Sequence, residues 1–152
     1  MAHPFDPLSV LSLPLMANLA TADGDGAPRN APVWFLWEDD ALWMPGDAGG
    51  SSARRLAADP RCAVEIVDYD NRAGILRHVG LRGRATVEPM DTALFRRLLA
   101  RYLGPEGTWN PWFIANVARF DDPDGRLIRL VPYSIFTNDV SHFRTGPARA
   151  VR

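Results

Sequence analysis

Two strand-forming runs flank the segment Asp23-Gly24-Asp25-Gly26, and this pairing constrains the fold more than any other feature of the chain. Met16–Ala22 reads as a strand before the segment. Arg29–Trp37 reads as a long strand after it, ending in the bulky run Val33-Trp34-Phe35-Leu36-Trp37. Glycine reaches positive φ without strain, so the segment between the runs is a strong turn signal. The expected starting unit is therefore an antiparallel hairpin.

The remaining elements extend that pattern. Leu8–Ser12 forms a short helix that Pro14 ends. Glu38-Asp39-Asp40 makes the next turn and Ala41–Met44 a third strand. Pro45-Gly46-Asp47-Ala48-Gly49-Gly50 is too rich in proline and glycine for regular structure. Ser51 or Ser52 can cap the helix that follows, which Pro60 closes. Arg61–Val67 is a buried strand, Asp68–Ala73 a polar loop, and Gly74–Glu88 a long extended segment with bulges or bends at Gly80 and Gly83. Asp91 or Thr92 begins an amphipathic helix whose apolar face carries Leu94, Phe95, Leu98, Leu99 and Tyr102, and Gly104 stands where a C-cap glycine belongs. Asn110-Pro111 introduces a further helix over Trp112–Phe120. Arg126–Val131 and Ser134–Asn138 are closing strands, and the tail from Gly146 is loose. Six strands in hairpin order with helices between them predict a mainly β antiparallel barrel with helical additions.

Composition narrows the function. A chain of 152 residues suits one domain with one core, and 47% hydrophobic with 23% charged residues argues against disorder. A formal net charge of −1 supplies no field to draw it to nucleic acid or to a membrane. All 17 basic residues are Arg, which reads as codon bias rather than function. Cys62, the single cysteine, sits in an apolar run and reads as a small core residue. His3, His78 and His142 lie far apart without metal-ligand spacing. There is no G-x-S-x-G elbow, no G-x-G-x-x-G and no Walker loop, which argues against a hydrolase triad and against Rossmann or P-loop nucleotide binding. No signal peptide and no bilayer-length apolar stretch is legible, so a cytoplasmic protein is the expectation.

Two segments carry the candidate chemistry. In Pro45–Leu56 a glycine-rich loop leads into a helix with serine at its start and Arg54-Arg55 in its first turn. Open amides at a helix N-terminus attract anions, and Ser and Arg add donors. The same segment is also readable as a flexible β–α connection with a routine serine cap. In Ala31–Trp37, uninterrupted bulky residues suggest a strand covered on both faces. It either lines an apolar slot for a flat ring system or is plain barrel core. Trp109 and Trp112 form a further aromatic pair that fits core, dimer contact or pocket wall equally well.

The order NLATADGDGAPRNAPVWFLWEDDALWM, a glycine-rich loop, SSARRLAADPRCAVEI and VGLRGRATVEP resembles the FMN-binding split β-barrel proteins related to pyridoxamine 5'-phosphate oxidase, including the actinobacterial branch that uses a deazaflavin coenzyme. The match spans about residues 15–103, and its most specific element is the PVWF strand combined with R-x-L-x-x-D-P-R. The resemblance implies a six-stranded split barrel acting as a homodimer, with two cofactor sites at the subunit interface. It implies an isoalloxazine along Pro32, Val33 and Trp34, a phosphate near Ser51, Ser52, Arg54 and Arg55, and partner-chain residues such as Arg77 and Trp109 closing the site. The implied function is a flavin-dependent oxidoreductase. A deazaflavin-dependent reductase is one alternative. A dimeric binding protein for haem or a small aromatic ligand is another, with His78 or His142 as iron ligand.

The chain departs from the family pattern at the phosphate end. Pro45 stands where the family often has Thr, Ser52 where a basic residue is usual, and Gly50 where an Arg is expected. Pro45 has neither N–H nor hydroxyl, so a phosphate there loses about two charge-assisted contacts, each typically ~1.5–3 kcal/mol.

Overall fold

The computed structural model describes residues 4–118 and 120–141. Short α1 (Leu8–Leu11) precedes β1 (Ala17–Ala22) and β2 (Pro28–Val33), which pair antiparallel across the Asp23–Gly26 turn as expected. β3 (Leu36–Glu38) and β4 (Ala41–Asp47) form a second hairpin. Then follow α2 (Ser51–Ala58), β5 (Arg61–Asp70), β6 (Ile75–Pro89), α3 (Thr92–Leu103), a 3-10 turn at Glu106–Thr108, α4 (Pro111–Asn116) and β7 (Gly125–Asp139). All strand pairs are antiparallel, in the order β2-β1-β5-β6-β7-β4-β3.

The two ends of that order are consecutive in the chain. Only Trp34 and Phe35 separate β2 at one edge from β3 at the other. Two intervening residues span at most about 11 Å between the strand ends. The sheet must therefore roll until its edges nearly meet, giving a barrel that stays split between β2 and β3. Alternation at the crossing sends neighbouring side chains to different layers. Phe35 is fully buried in the barrel interior with Leu42, Met44, Ile66, Leu81 and Leu130. Trp34 turns outward, against the layer formed by α3, Trp109 and Leu127.

The sheet has seven strands rather than six. The run expected as one strand over Arg29–Trp37 is broken by the crossing. The two closing strands are one continuous β7, which stays paired with β6 through a register shift at Arg82/Gly83. A Cβ on Gly83 would lie 2.3 Å from the Val131 carbonyl oxygen, so only glycine lets the strands approach there.

Pro45 and Gly46, expected in an irregular loop, continue β4 opposite Leu127 and Arg126. Beyond Trp43, β4 pairs only with β7, and a missing N–H on its free side breaks no ladder. β5 likewise extends to Asp70 before its turn, and α4 ends at Asn116 rather than Phe120.

The helix termini divide. Asp91 caps α3 by accepting the Leu94 N–H, and Gly104 closes it at φ 78. α2 instead starts from Gly50 with no side-chain cap, so neither Ser51 nor Ser52 caps it. Cys62 is buried, and burial pushes its thiol up to about 11. Among the described residues no helix is long and apolar enough to cross a membrane, and no group of His, Cys, Asp and Glu is placed to hold a metal ion.

Candidate functional site

The rolled edge creates two adjoining hollows on one side of the barrel. The larger, about 680 Å³, lies under α3 and α4. The smaller, about 250 Å³, lies at the start of α2. They share one wall: Pro32 and Val33 from β2, and Pro45, Gly46 and Asp47 from β4. An apolar strand edge facing another apolar strand edge makes a flat-sided slot open at both ends.

The far side of the larger hollow is fixed by α3. The Trp34 ring stacks on Tyr102 with centroids 4.5 Å apart and planes 5° apart, and Phe113 of α4 lies 6.1 Å from Trp34. The Tyr102 hydroxyl accepts the Phe35 N–H at 2.9 Å and donates to the Leu15 carbonyl at 2.8 Å. One hydroxyl thus ties the crossing between the sheet edges to the segment preceding β1. Burial raises the phenol above the ordinary tyrosine range, so it remains protonated and able to donate.

Next to it, the Arg101 guanidinium donates to the carbonyls of Leu11 and Leu13 and lies 4.8 Å over the Phe35 ring. Burial lowers its affinity for a proton, and its Nε has no partner among the described residues.

The smaller hollow is polar at one end. Ser51, Ser52 and Ala53 line it, and their amides precede the first intrahelical bond, Arg54 N–H to the Gly50 carbonyl. Among the described residues, Asp47 is the only charged one lining it. The two hollows therefore meet in one continuous groove, bringing together Pro32, Val33, Ser51 and Ser52, with Trp34 lining the larger hollow beyond the shared wall.

Arg54 and Arg55 are not part of that groove. They line a third hollow beside α2, with Ser51, Asp23, Asp59 and Arg61. Arg55 donates to Thr21 Oγ1 at 2.8 Å and sits 3.8 Å from Asp23, while Arg54 is exposed. Ser51 borders that hollow as well as the groove; Arg54 and Arg55, three and four positions on, continue its row along the helix toward the third hollow, while Ser52 and Ala53 line the groove.

A family model described as pyridoxamine 5'-phosphate oxidase matches residues 8–138. The chain belongs to that family. Solved structures agree with this assignment. An F420 reductase is 28% identical, with a TM-score of 0.69 over 87% of this chain and 97% of its own. A conserved hypothetical protein from Mycobacterium tuberculosis is 22% identical, with a TM-score of 0.73 over 100% of this chain and 93% of its own. The haem storage protein HutZ from Vibrio cholerae is 18% identical, with a TM-score of 0.61 over 84% and 89%. The last two show the shared fold alone. No curated protein matches the chain.

Other residues singled out from the sequence fall outside the groove. Trp109 is buried in the outer layer with its indole N–H on the Gly104 carbonyl, while Trp112 is 68% exposed. Arg77 pairs with Asp68 at 2.6 Å. His78 hydrogen-bonds Glu65 and leans against Phe136, lining neither hollow. His142 lies outside the described residues. The sequence reading missed Gly46, Asp47, Phe113 and Asn116 as groove residues. It also missed the tyrosine clamp, because nothing local to Tyr102 signals a partner 67 positions away.

Proposed function

We propose that the protein is an oxidoreductase that lays a flavin, FMN in the leading reading, against the wall formed by Pro32, Val33, Pro45 and Gly46. The observation carrying this reading is the continuity of a flat apolar slot with the open amides of Ser51, Ser52 and Ala53. The ring would rest along β2 beside Trp34, and the cofactor's anion would take the amides and hydroxyls at the start of α2. A bound flavin supplies hydride chemistry, while the protein's share is orientation and exclusion of water. In this reading Arg54 and Arg55 assist only as a positive field from the neighbouring hollow.

One observation favours a second reading, the deazaflavin coenzyme. Among the described residues no cation lines the anion end, and Asp47 borders it. A phosphate monoester carries about −1.5 to −2 charges at neutral pH, a load that amides and hydroxyls alone hold poorly. The 28% identical F420 reductase points the same way. The corresponding assembly is a homodimer. Its support is the outer face of β5–β7, where Val67, Tyr69 and Phe136 stand exposed on neighbouring strands.

Absorbance of the purified protein, with mass spectrometry of what denaturation releases, tests the reading. A flavin or deazaflavin spectrum near one cofactor per chain is expected. A colourless protein that takes up neither on incubation would overturn it.

A further inference from the structure

The larger hollow has a polar character that the proposed cofactor does not use. Beyond the shared wall it is lined by Trp34, Met90, Phe95, Phe113, Asn116 and Asp122. Among the described residues its ionisable side chains are Asp47 and Asp122. The half-buried Asp122 is anchored at the rim, where Oδ1 accepts the Asp124 N–H at 2.9 Å, and Oδ2 remains open. The Asn116 amide nitrogen is engaged by the Trp112 carbonyl at 2.8 Å, so its oxygen is the atom left for a ligand. Nearby arginines are engaged elsewhere: Arg126 donates to the carbonyls of Pro123 and Gly125, and Arg129 lies over Trp43. Among the described residues, both charged side chains lining this hollow are thus acidic.

We propose that this hollow is the substrate site and selects ring compounds carrying a cationic or hydrogen-bond-donating group, such as aromatic amines, while rejecting phosphorylated and carboxylate compounds. The substrate role rests on the cofactor reading above; the ligand class rests on the lining itself. Two carboxylates bordering one hollow, the half-buried Asp122 and the exposed Asp47, attract an ammonium and repel an anion. Aromatic walls stack on a ring and also favour cations. A phosphate group would find two carboxylates there and, among the described residues, no cationic side chain. The family is named for a phosphorylated amine, and this chain keeps the groove while offering that phosphate no purchase in the larger hollow.

The test uses the purified full chain, with whatever cofactor it retains, titrated at low salt with two probes of equal shape: 1-naphthylmethylammonium and 1-naphthoate. Calorimetry reads ligand binding, and absorbance of the same samples reads the cofactor. The ammonium should bind at least about tenfold tighter than the carboxylate. The gap should shrink several-fold in Asp122→Asn, which keeps the acceptor for Asp124, and further when Asp47→Asn is added. Equal binding, preference for naphthoate, binding of neither probe, or a gap unchanged in both variants overturns the proposal. Charge selection without any flavin or deazaflavin uptake leaves the ligand class standing and removes the redox reading. Cofactor uptake without charge selection does the reverse.

Discussion

The two ends of the groove are built by different means. The ring end is walled by β2 and β4 and pinned from behind: Trp34 stacks on Tyr102, whose hydroxyl holds the Phe35 amide and the Leu15 carbonyl. The helix end is bare: Gly50, Ser51 and Ser52 offer amides and hydroxyls, the one charged side chain among the described residues is Asp47, and both arginines of α2 line the neighbouring hollow instead. Rigid packing thus shapes the slot for a planar group, while little in this chain is dedicated to a doubly charged phosphate. The difference locates specificity. Groove shape follows from how the barrel rolls and is costly to change, whereas the anion end can be retuned one side chain at a time.

The largest expected effect breaks the ring end. Phe35→Ala removes the fully buried side chain at the crossing and should destabilise the protein by about 3–5 kcal/mol in chemical denaturation, with loss of the groove. Tyr102→Phe keeps the Trp34 stack but leaves the buried Phe35 amide and Leu15 carbonyl without their partner. A loss of about 1–3 kcal/mol is expected, and cofactor binding should weaken even where the fold survives.

Sharpening the contrast requires a gain at the other end. Ser52→Lys places a cation at the helix start and should tighten FMN about tenfold, as one charge-assisted contact predicts, with little change in melting temperature. The smallest effect is Arg54→Ala: an exposed side chain lining the neighbouring hollow should alter FMN affinity by less than about twofold. A large loss there would show that the helix end is not as bare as its geometry indicates.

Much of this was legible in the sequence, for identifiable reasons. The Asp23–Gly26 hairpin, the Asp91 cap and the Gly104 C-cap are local chemistry, and each was read from a few adjacent residues. The features missed depend on remote partners. Pro45 lies in a strand because β4 has a free side there, which only the sheet order reveals. The Trp34–Phe35 break follows from closure of the roll, not from the residues, which are strand formers throughout. β7 stays whole because Gly83 on another strand accommodates the shift opposite Pro132. For the site, the family resemblance named Pro32, Val33, Ser51 and Ser52, which the fold gathers into one groove. It also named Arg54 and Arg55, which line the neighbouring hollow that Ser51 shares with the groove.

The central claim is that a flat cofactor lies on the wall headed by Pro32. The direct measurement is titration of the purified chain, freed of any carried ligand, with FMN and with the deazaflavin coenzyme, following ring absorbance in the wild type and in Pro32→Trp, whose new indole would fill the slot from an exposed edge-strand position. The account predicts saturable uptake of one of the two at about one per chain in the wild type, and its loss in Pro32→Trp with an unchanged circular dichroism spectrum. Uptake that is equally strong in the correctly folded variant would contradict it.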